Sequence, residues 1–273
     1  MKTAYFDGPA GSIAYHASPG AGSPVVLLHG NSSSSKAYMR QLLSPLGESR
    51  RLIAFDLPGH GQSDNADEPS HYSLPGYASA TVAFAKGLGL EEAVFVGWSL
   101  GGHIILEAAA DLPKAAGFMI FGTPPLAFPP AMDQAFLPNP AMGVGFSAEV
   151  SRSDAESYAA SFFKPDYADV ARSFVEDILR TDGRARAGLA ASIAAGGYRD
   201  EIEIVATLKQ PLAVLHGADE QIVNGAYLQR LAMPTLWRNS VQIIAGAGHA
   251  PQWEKAPGFN GLLDAFVAEA TRR

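Results

Sequence analysis

Residues 97–103, Gly97-Trp98-Ser99-Leu100-Gly101-Gly102-His103, carry the arrangement best suited to chemistry. They follow the apolar, strand-like run Ala93–Gly97 and open Leu100–Ala110, whose pattern is helical. In a chain holding 28 glycines a bare Gly-x-Ser-x-Gly means little, so the strand-to-helix context carries the argument. A serine at such a junction sits on a turn sharp enough to lift its hydroxyl clear of a sheet edge. Side chains larger than hydrogen at Gly97 and Gly101 would collide with the neighbouring strand and helix. The helix opening at Leu100 brings its partial positive N-terminus to the place where an attacked carbonyl oxygen becomes negative. The chemistry implied is acyl transfer with Ser99 as nucleophile.

A serine hydroxyl is weakly nucleophilic at neutral pH and needs a base, itself oriented by an acid. Seven histidines are available. His29 belongs to a strand-to-loop junction and His60 to a glycine turn, while His16 and His71 lie in polar surroundings. His216 ends an apolar strand, the setting of a satisfied structural histidine, and His103 points along the helix after the serine. His249 stands in Ala245-Gly246-Ala247-Gly248-His249-Ala250-Pro251, a loop able to swing an imidazole toward Ser99. It is also last in the chain, as the order serine, acid, histidine requires. The acid belongs on the loop after the strand Leu212–His216, where Asp219 and Glu220 are adjacent. Sequence neighbours point in different directions, so one pairs with the histidine and the other is solvated or caps the turn near Gly225. Residue types alone do not choose between them. Two oxyanion donors are expected, the backbone N–H groups of Asn31, just after His29-Gly30, and of Leu100, just after the serine. The Asn31 amide and Gly30 are further candidates for contact with substrate.

The elements that must position these groups are legible as a rhythm. Thr3–Phe6 and Ser12–His16 alternate on either side of the Gly8-Pro9 turn and read as a hairpin. Strand-like Val25–His29, Leu52–Phe55, Ala93–Gly97 and Gly117–Phe121 then alternate with helical Ala37–Leu43, Gly76–Leu88 and Leu100–Ala110. Short, continuously apolar strands bounded by glycine are those of a buried parallel sheet, and their alternation with helices implies a doubly wound α/β fold. The rhythm breaks at Pro124-Pro125. It resumes with Leu212–His216, Gly225–Leu231, Val241–Ile244 and Gly258–Ala270. Residues 1–125 and 209–273 are therefore read as the core domain and 126–208 as a helical, aromatic-rich cap inserted between two sheet strands. Within the cap, Asp154–Phe163 and Tyr167–Arg180 look helical.

Composition narrows the partners. The 273 residues are 47% hydrophobic and 17% charged, enough for one large core with an insertion. A net charge of −7 without a basic run speaks against nucleic acid and anionic membrane surfaces. The absence of cysteine removes disulfides, thiolate metal sites and a thiol nucleophile, and suits the cytoplasm. No leader-like apolar stretch or membrane-spanning run is present.

Together these residues resemble the α/β-hydrolase superfamily across nearly the whole chain outside the insertion. Asp56-Leu57-Pro58-Gly59-His60-Gly61-Gln62-Ser63 is similar to its structural Asp-x-Pro-Gly-x-Gly-x-Ser turn. Gly248-His249-Ala250-Pro251, with Glu254 and Pro257, is similar to its histidine loop. That resemblance places the acid three residues after Gly217, selecting Glu220 over Asp219. A closer resemblance is to the N-acyl homoserine lactone hydrolases of this fold. It rests on His29–Ser34, Gly97–Ile104, Gly122-Thr123-Pro124-Pro125, Arg180–Arg186 and Asp219-Glu220. It implies glutamate as the acid, Tyr158 as the substrate-contacting cap tyrosine, and Trp98 at the lactone pocket.

The expected activity is metal-independent hydrolysis of the lactone ring through an acyl-enzyme on Ser99, with degradation of a quorum-sensing signal as its role. No cofactor is expected, and the His-x-His-x-Asp-His spacing of metal-dependent lactonases is absent. Serine at position 99 also speaks against haloalkane dehalogenases and epoxide hydrolases, which attack with aspartate. The alternatives are a carboxylesterase, a carbon–carbon bond hydrolase, a cofactor-free perhydrolase, or, in a different class, a slow-turnover ligand receptor on the same fold. The expected partner is a small ester-like molecule, and the expected assembly a monomer or small homo-oligomer.

Overall fold

The structure is a computed structural model that describes residues 1–272. Its single sheet holds β1 (Ala4–Gly8), β2 (Gly11–Ala17), β3 (Val25–Leu28), β4 (Leu52–Phe55), β5 (Val94–Trp98), β6 (Gly117–Phe121), β7 (Leu212–Gly217) and β8 (Gln242–Ile244). They lie in the order β1-β2-β4-β3-β5-β6-β7-β8. The hairpin β1–β2 joins β4 antiparallel, and every pairing from β4 to β8 is parallel. β3 through β7 are buried throughout, which explains their unbroken Val, Leu, Ile and Phe runs. The edge strand β1 alternates half-buried and exposed residues, as a strand with one wet face must.

Helices α1 (Leu74–Gly87) and α2 (Leu100–Ala108) follow β4 and β5. Ser73 Oγ caps α1 by accepting from Gly76 N–H at 3.0 Å, and Pro75 in its first turn has no N–H to leave unpaired. From α1, Phe84 stacks on Phe55 at 4.5 Å between ring centroids and meets Phe6 and Tyr15 edge-on. The chain order reverses between β3, which leads back to β4, and β5, which leads on to β6. Ligands of open α/β sheets bind at the carboxyl ends of the strands at such a switch point. Here those ends are His29 and Ser99.

Residues between β6 and β7 form α3 (Arg152–Ser161), α4 (Arg172–Arg180), α5 (Gly183–Ala194) and α6 (Glu201–Thr207), and the last helix is α7 (Ala256–Ala270). The helix expected over Tyr167–Arg180 is shorter than its pattern suggests. Pro165 and the left-handed Asp166, at φ 59°, break the chain before it, and regular turns begin only at Arg172. The expected helix Gly225–Leu231 is reduced to the single turn Gly225–Leu228.

The run Arg180–Arg186 braces this insertion. Arg180 donates to the Gly61 carbonyl, Asp182 accepts from Tyr72 Oη at 2.8 Å, and Asp177 accepts from Ser34 and Lys36. The buried Arg186 donates to the carbonyls of Ser147 at 2.6 Å, Ile178 at 3.1 Å and Ala148 at 3.2 Å. Arg186→Ala strands those acceptors beside an unfilled space. It is expected to lower unfolding stability by about 2–4 kcal/mol, read from the midpoint of urea denaturation.

Candidate active site

Ser99 adopts φ 53° and ψ −118°, a left-handed conformation that side chains seldom take. The turn is held from both sides: Ser99 N–H donates to the Phe121 carbonyl at 2.9 Å, and Thr123 Oγ1 donates to the Ser99 carbonyl at 2.8 Å. The flanking glycines are obligatory. A Cβ on Gly97 would lie 2.3 Å from the Gly101 carbonyl oxygen, and one on Gly101 would lie 2.4 Å from that of Leu28. Backbone on both sides leaves neither clash an escape. Gly101→Ala is therefore expected to cost about 1–3 kcal/mol and to lower activity with it, as measured by thermal unfolding beside initial rates.

His249 is buried, and its Nδ1 lies 3.0 and 2.9 Å from the two carboxylate oxygens of Glu220. Glu220 Oε1 also accepts from Ile222 N–H at 2.9 Å. Burial pushes the Glu220 carboxyl upward, but the His249 imidazole and the Ile222 N–H outweigh it, and the group sits below the usual glutamate value. Asp219 is exposed and uses its backbone N–H on the Ala247 carbonyl, so of the adjacent pair only Glu220 meets the histidine. Glu254 fixes the histidine loop by accepting from Gly248 N–H at 2.7 Å and Lys164 N–H at 2.8 Å.

Ser99, His249, Asn31 and Leu100 line one cavity of about 110 Å³, whose remaining wall is mostly apolar and drawn from the insertion. Among the described residues the backbone N–H groups of Asn31 and Leu100 donate no hydrogen bond within the protein. No hydrogen bond joins Ser99 Oγ to His249, a contact that in hydrolases often tightens only with substrate bound.

A model of the alpha/beta hydrolase family matches residues 25–260. The chain belongs to the alpha/beta hydrolase family. Within it, the solved structure of the N-acyl homoserine lactonase AidH is similar over the whole length. Their TM-score is 0.95 with 36% identity, covering 100% of this chain and 99% of that one, in a mutant complexed with N-hexanoyl homoserine lactone. The pimeloyl-[acyl-carrier protein] methyl ester esterase of Xanthomonas axonopodis pv. citri is 31% identical over 256 residues, 91% of this chain and 96% of the esterase. The dihydrolipoyllysine-residue acetyltransferase component of the acetoin cleaving system of Cupriavidus necator is 28% identical over 258 residues. The match covers 92% of this chain but only 65% of that longer protein.

The other side chains expected in the site of this alpha/beta hydrolase are placed as follows. Tyr158, from α3, lines the cavity, and burial raises its phenol above the ordinary value. The Asn31 amide does not point freely to a substrate: Nδ2 donates to the Gly145 carbonyl at 2.6 Å, tying the loop after β3 to the insertion. Trp98 and Gly30 are not on the cavity wall. Trp98 is 1% exposed, donates from Nε1 to the His249 carbonyl at 2.7 Å, and packs edge-on against Phe162 and Phe174. It backs the histidine loop. Gly30 lies under the serine, where a Cβ would come within 3.1 Å of Ser99 Cβ and 3.2 Å of the Trp98 ring.

Asp56 behaves as the structural turn residue expected, accepting from Ser35 N–H and Gln62 N–H at 2.7 Å each. His216 is not a satisfied structural histidine, for its Nδ1 is buried without a hydrogen-bond partner among the described residues. One positioning group escaped the sequence. His29 Nε2 accepts from Leu57 N–H at 2.9 Å while Nδ1 contacts the Gly30 carbonyl at 2.8 Å, and burial lowers the ring to about 4. A neutral, doubly anchored ring thus holds the Gly30–Asn31 turn. Glu254, named by the resemblance of the histidine loop, is the other group that positions the site.

Proposed function

We propose that this alpha/beta hydrolase opens the lactone ring of N-acyl homoserine lactones, with quorum-signal degradation as its role. The observation that carries the reading is the whole-length similarity to AidH, at TM-score 0.95, joined to a cavity that brings together Ser99, His249 and two free backbone donors. Mutants of AidH in which a serine and a glutamate are replaced by glycine are the ones complexed with N-hexanoyl homoserine lactone and N-hexanoyl homoserine. Serine and glutamate are the residue types at 99 and 220 here.

In the proposed reaction His249 Nε2 takes the Ser99 proton as Oγ attacks the lactone carbonyl carbon. The N–H groups of Asn31 and Leu100 receive the developing oxyanion, an effect worth about 3–4 kcal/mol per donor. Collapse breaks the ring carbon–oxygen bond, and His249 returns the proton to the departing alkoxide, which stays tethered as the homoserine hydroxyl. Water, deprotonated by His249, then hydrolyses the ester on Ser99 and releases the open N-acyl homoserine. Glu220 keeps the Nδ1 proton in place and balances the imidazolium. The helices between β6 and β7 act as a cap whose apolar wall takes the acyl chain, with Tyr158 at the substrate.

No group of three or more His, Cys, Asp or Glu among the described residues is arranged to hold a metal ion. A chelator is accordingly expected to leave the rate unchanged, and activity lost to EDTA and restored by a divalent cation would overturn the serine mechanism. No helix of the described residues is long and apolar enough to cross a membrane. The cytoplasm is the location we propose, since a chain without cysteine suits a reducing compartment.

The test is hydrolysis of N-hexanoyl homoserine lactone, followed by mass spectrometry, beside p-nitrophenyl butyrate. A kcat/KM for the lactone exceeding that for the ester is expected. The 31% identity to a methyl ester esterase favours a second reading, hydrolysis of linear esters, which ester turnover with inert lactone would select.

A further inference from the structure

A second histidine–carboxylate pair stands in the wall of the same cavity. His103, on α2, lies four residues beyond Ser99, and Glu201 opens α6 of the insertion; both line the cavity that holds Ser99 and His249. Glu201 is 1% exposed, and its oxygens lie 2.8 and 2.9 Å from His103 Nδ1. One of them also accepts from Leu126 N–H at 2.8 Å. A buried carboxylate held this way takes the Nδ1 proton and leaves Nε2 as the free ring nitrogen. That nitrogen has no hydrogen-bond partner among the described residues. Leu126, Leu189 and Ile193 make the surrounding wall apolar. A ring nitrogen in such a wall rewards a ligand that brings a hydroxyl to it, since a hydroxyl both donates and accepts.

Position decides which hydroxyl. At 1.5 Å of rise per residue, four residues place the backbone of His103 about 6 Å beyond that of Ser99 along α2. An extended chain covers at most about 3.3–3.6 Å in three bonds, so about 6 Å is reached five bonds from the attacked carbon. In an N-acyl homoserine lactone the fifth atom out from the ring carbonyl is the third carbon of the acyl chain, after the α-carbon, the amide nitrogen, the acyl carbonyl carbon and the second carbon.

We propose that His103, oriented by Glu201, is the specificity residue for a hydroxyl on the third acyl carbon, and that 3-hydroxyacyl homoserine lactones are the preferred substrate class. The inference rests on the lactone reading above. Its test compares kcat/KM for N-(3-hydroxyhexanoyl), N-(3-oxohexanoyl) and N-hexanoyl homoserine lactone in the wild type and in the double variant His103→Leu/Glu201→Gln. The double change avoids leaving a lone carboxylate buried, and a ratio of substrates within one preparation does not depend on the fraction folded.

The wild type is expected to favour the 3-hydroxy substrate over the unsubstituted one by about tenfold, the worth of one well-placed hydrogen bond. The double variant is expected to bring that ratio to about one. A merely structural pair, pinning α6 to α2, would lower all three rates together and leave the ratio where it was. That result, or a wild type that prefers the 3-oxo chain, overturns the assignment while the lactone reading stands. If none of the three lactones is opened and p-nitrophenyl butyrate is, the lactone reading fails and the assignment falls with it.

Discussion

Replacing Ser99 by alanine is expected to lower kcat/KM on lactone and ester alike by about 10⁵–10⁶-fold, the scale set by removing the nucleophile of a serine hydrolase. The unfolding midpoint should stay within about 2 °C of wild type. The two halves of this expectation have separate causes. Activity depends on Oγ, which alanine lacks. Stability depends on the backbone of the turn, which alanine keeps, because the bonds from Ser99 N–H to Phe121 and from Thr123 to the Ser99 carbonyl do not involve the side chain. Alanine carries a Cβ into φ 53° just as serine does, so the strain is also retained. Ser99→Gly separates the terms, for glycine adopts that conformation without penalty. It should be as inactive as the alanine variant yet more stable than wild type by about 1 kcal/mol. Retained turnover in purified Ser99→Ala would remove Ser99 from the mechanism. A glycine variant no more stable than the alanine one would show that the turn stores no strain.

The turn at Ser99, the parallel strands and the loop of His249 were legible because each is local. Gly97, Ser99 and Gly101 act through a clash and a dihedral angle settled within a few residues, and buried parallel strands announce themselves as unbroken apolar runs. What the sequence hid was direction and distance. Trp98 is adjacent to Ser99, which suggests shared surroundings, but successive side chains of an extended segment point to opposite sides. Its indole goes to Phe162, Phe174 and the His249 carbonyl. The turn after β7 likewise sends Asp219 to solvent and Glu220 to His249, so composition could offer the pair and only a resemblance or a structure could choose. His103 was passed over because its partner Glu201 is 98 residues away, on a helix with no catalytic motif of its own. α5 went unread for another reason: Gly183-Arg184-Ala185-Arg186-Ala187 has too few large apolar residues to show a helical period, and its hold on the fold comes from Arg186 and the Asp182 cap.

The carboxylate pair gives the second large effect. Glu220→Gln is expected to lower kcat by about 10³–10⁴-fold, while Asp219→Asn changes it less than about twofold. Glu220 Oε1 accepts from both Ile222 N–H and His249 Nδ1, and Oε2 accepts from Nδ1 as well. A glutamine in that place has one acceptor and one donor. If its oxygen serves Ile222, its NH₂ group faces Nδ1 and favours the tautomer protonated on Nε2, which cannot take the Ser99 proton. If the amide turns over, its NH₂ opposes the Ile222 N–H, two donors against each other in a buried place. Either orientation damages the base without removing it, so the loss should appear in kcat more than in KM. Asp219 offers no such coupling, since its exposed carboxylate touches neither ring nitrogen of His249. Steady-state kinetics of the two variants on one substrate decide the matter. A larger loss in Asp219→Asn than in Glu220→Gln would move the acid to the neighbouring residue, and would require the loop after β7 to rearrange when substrate binds.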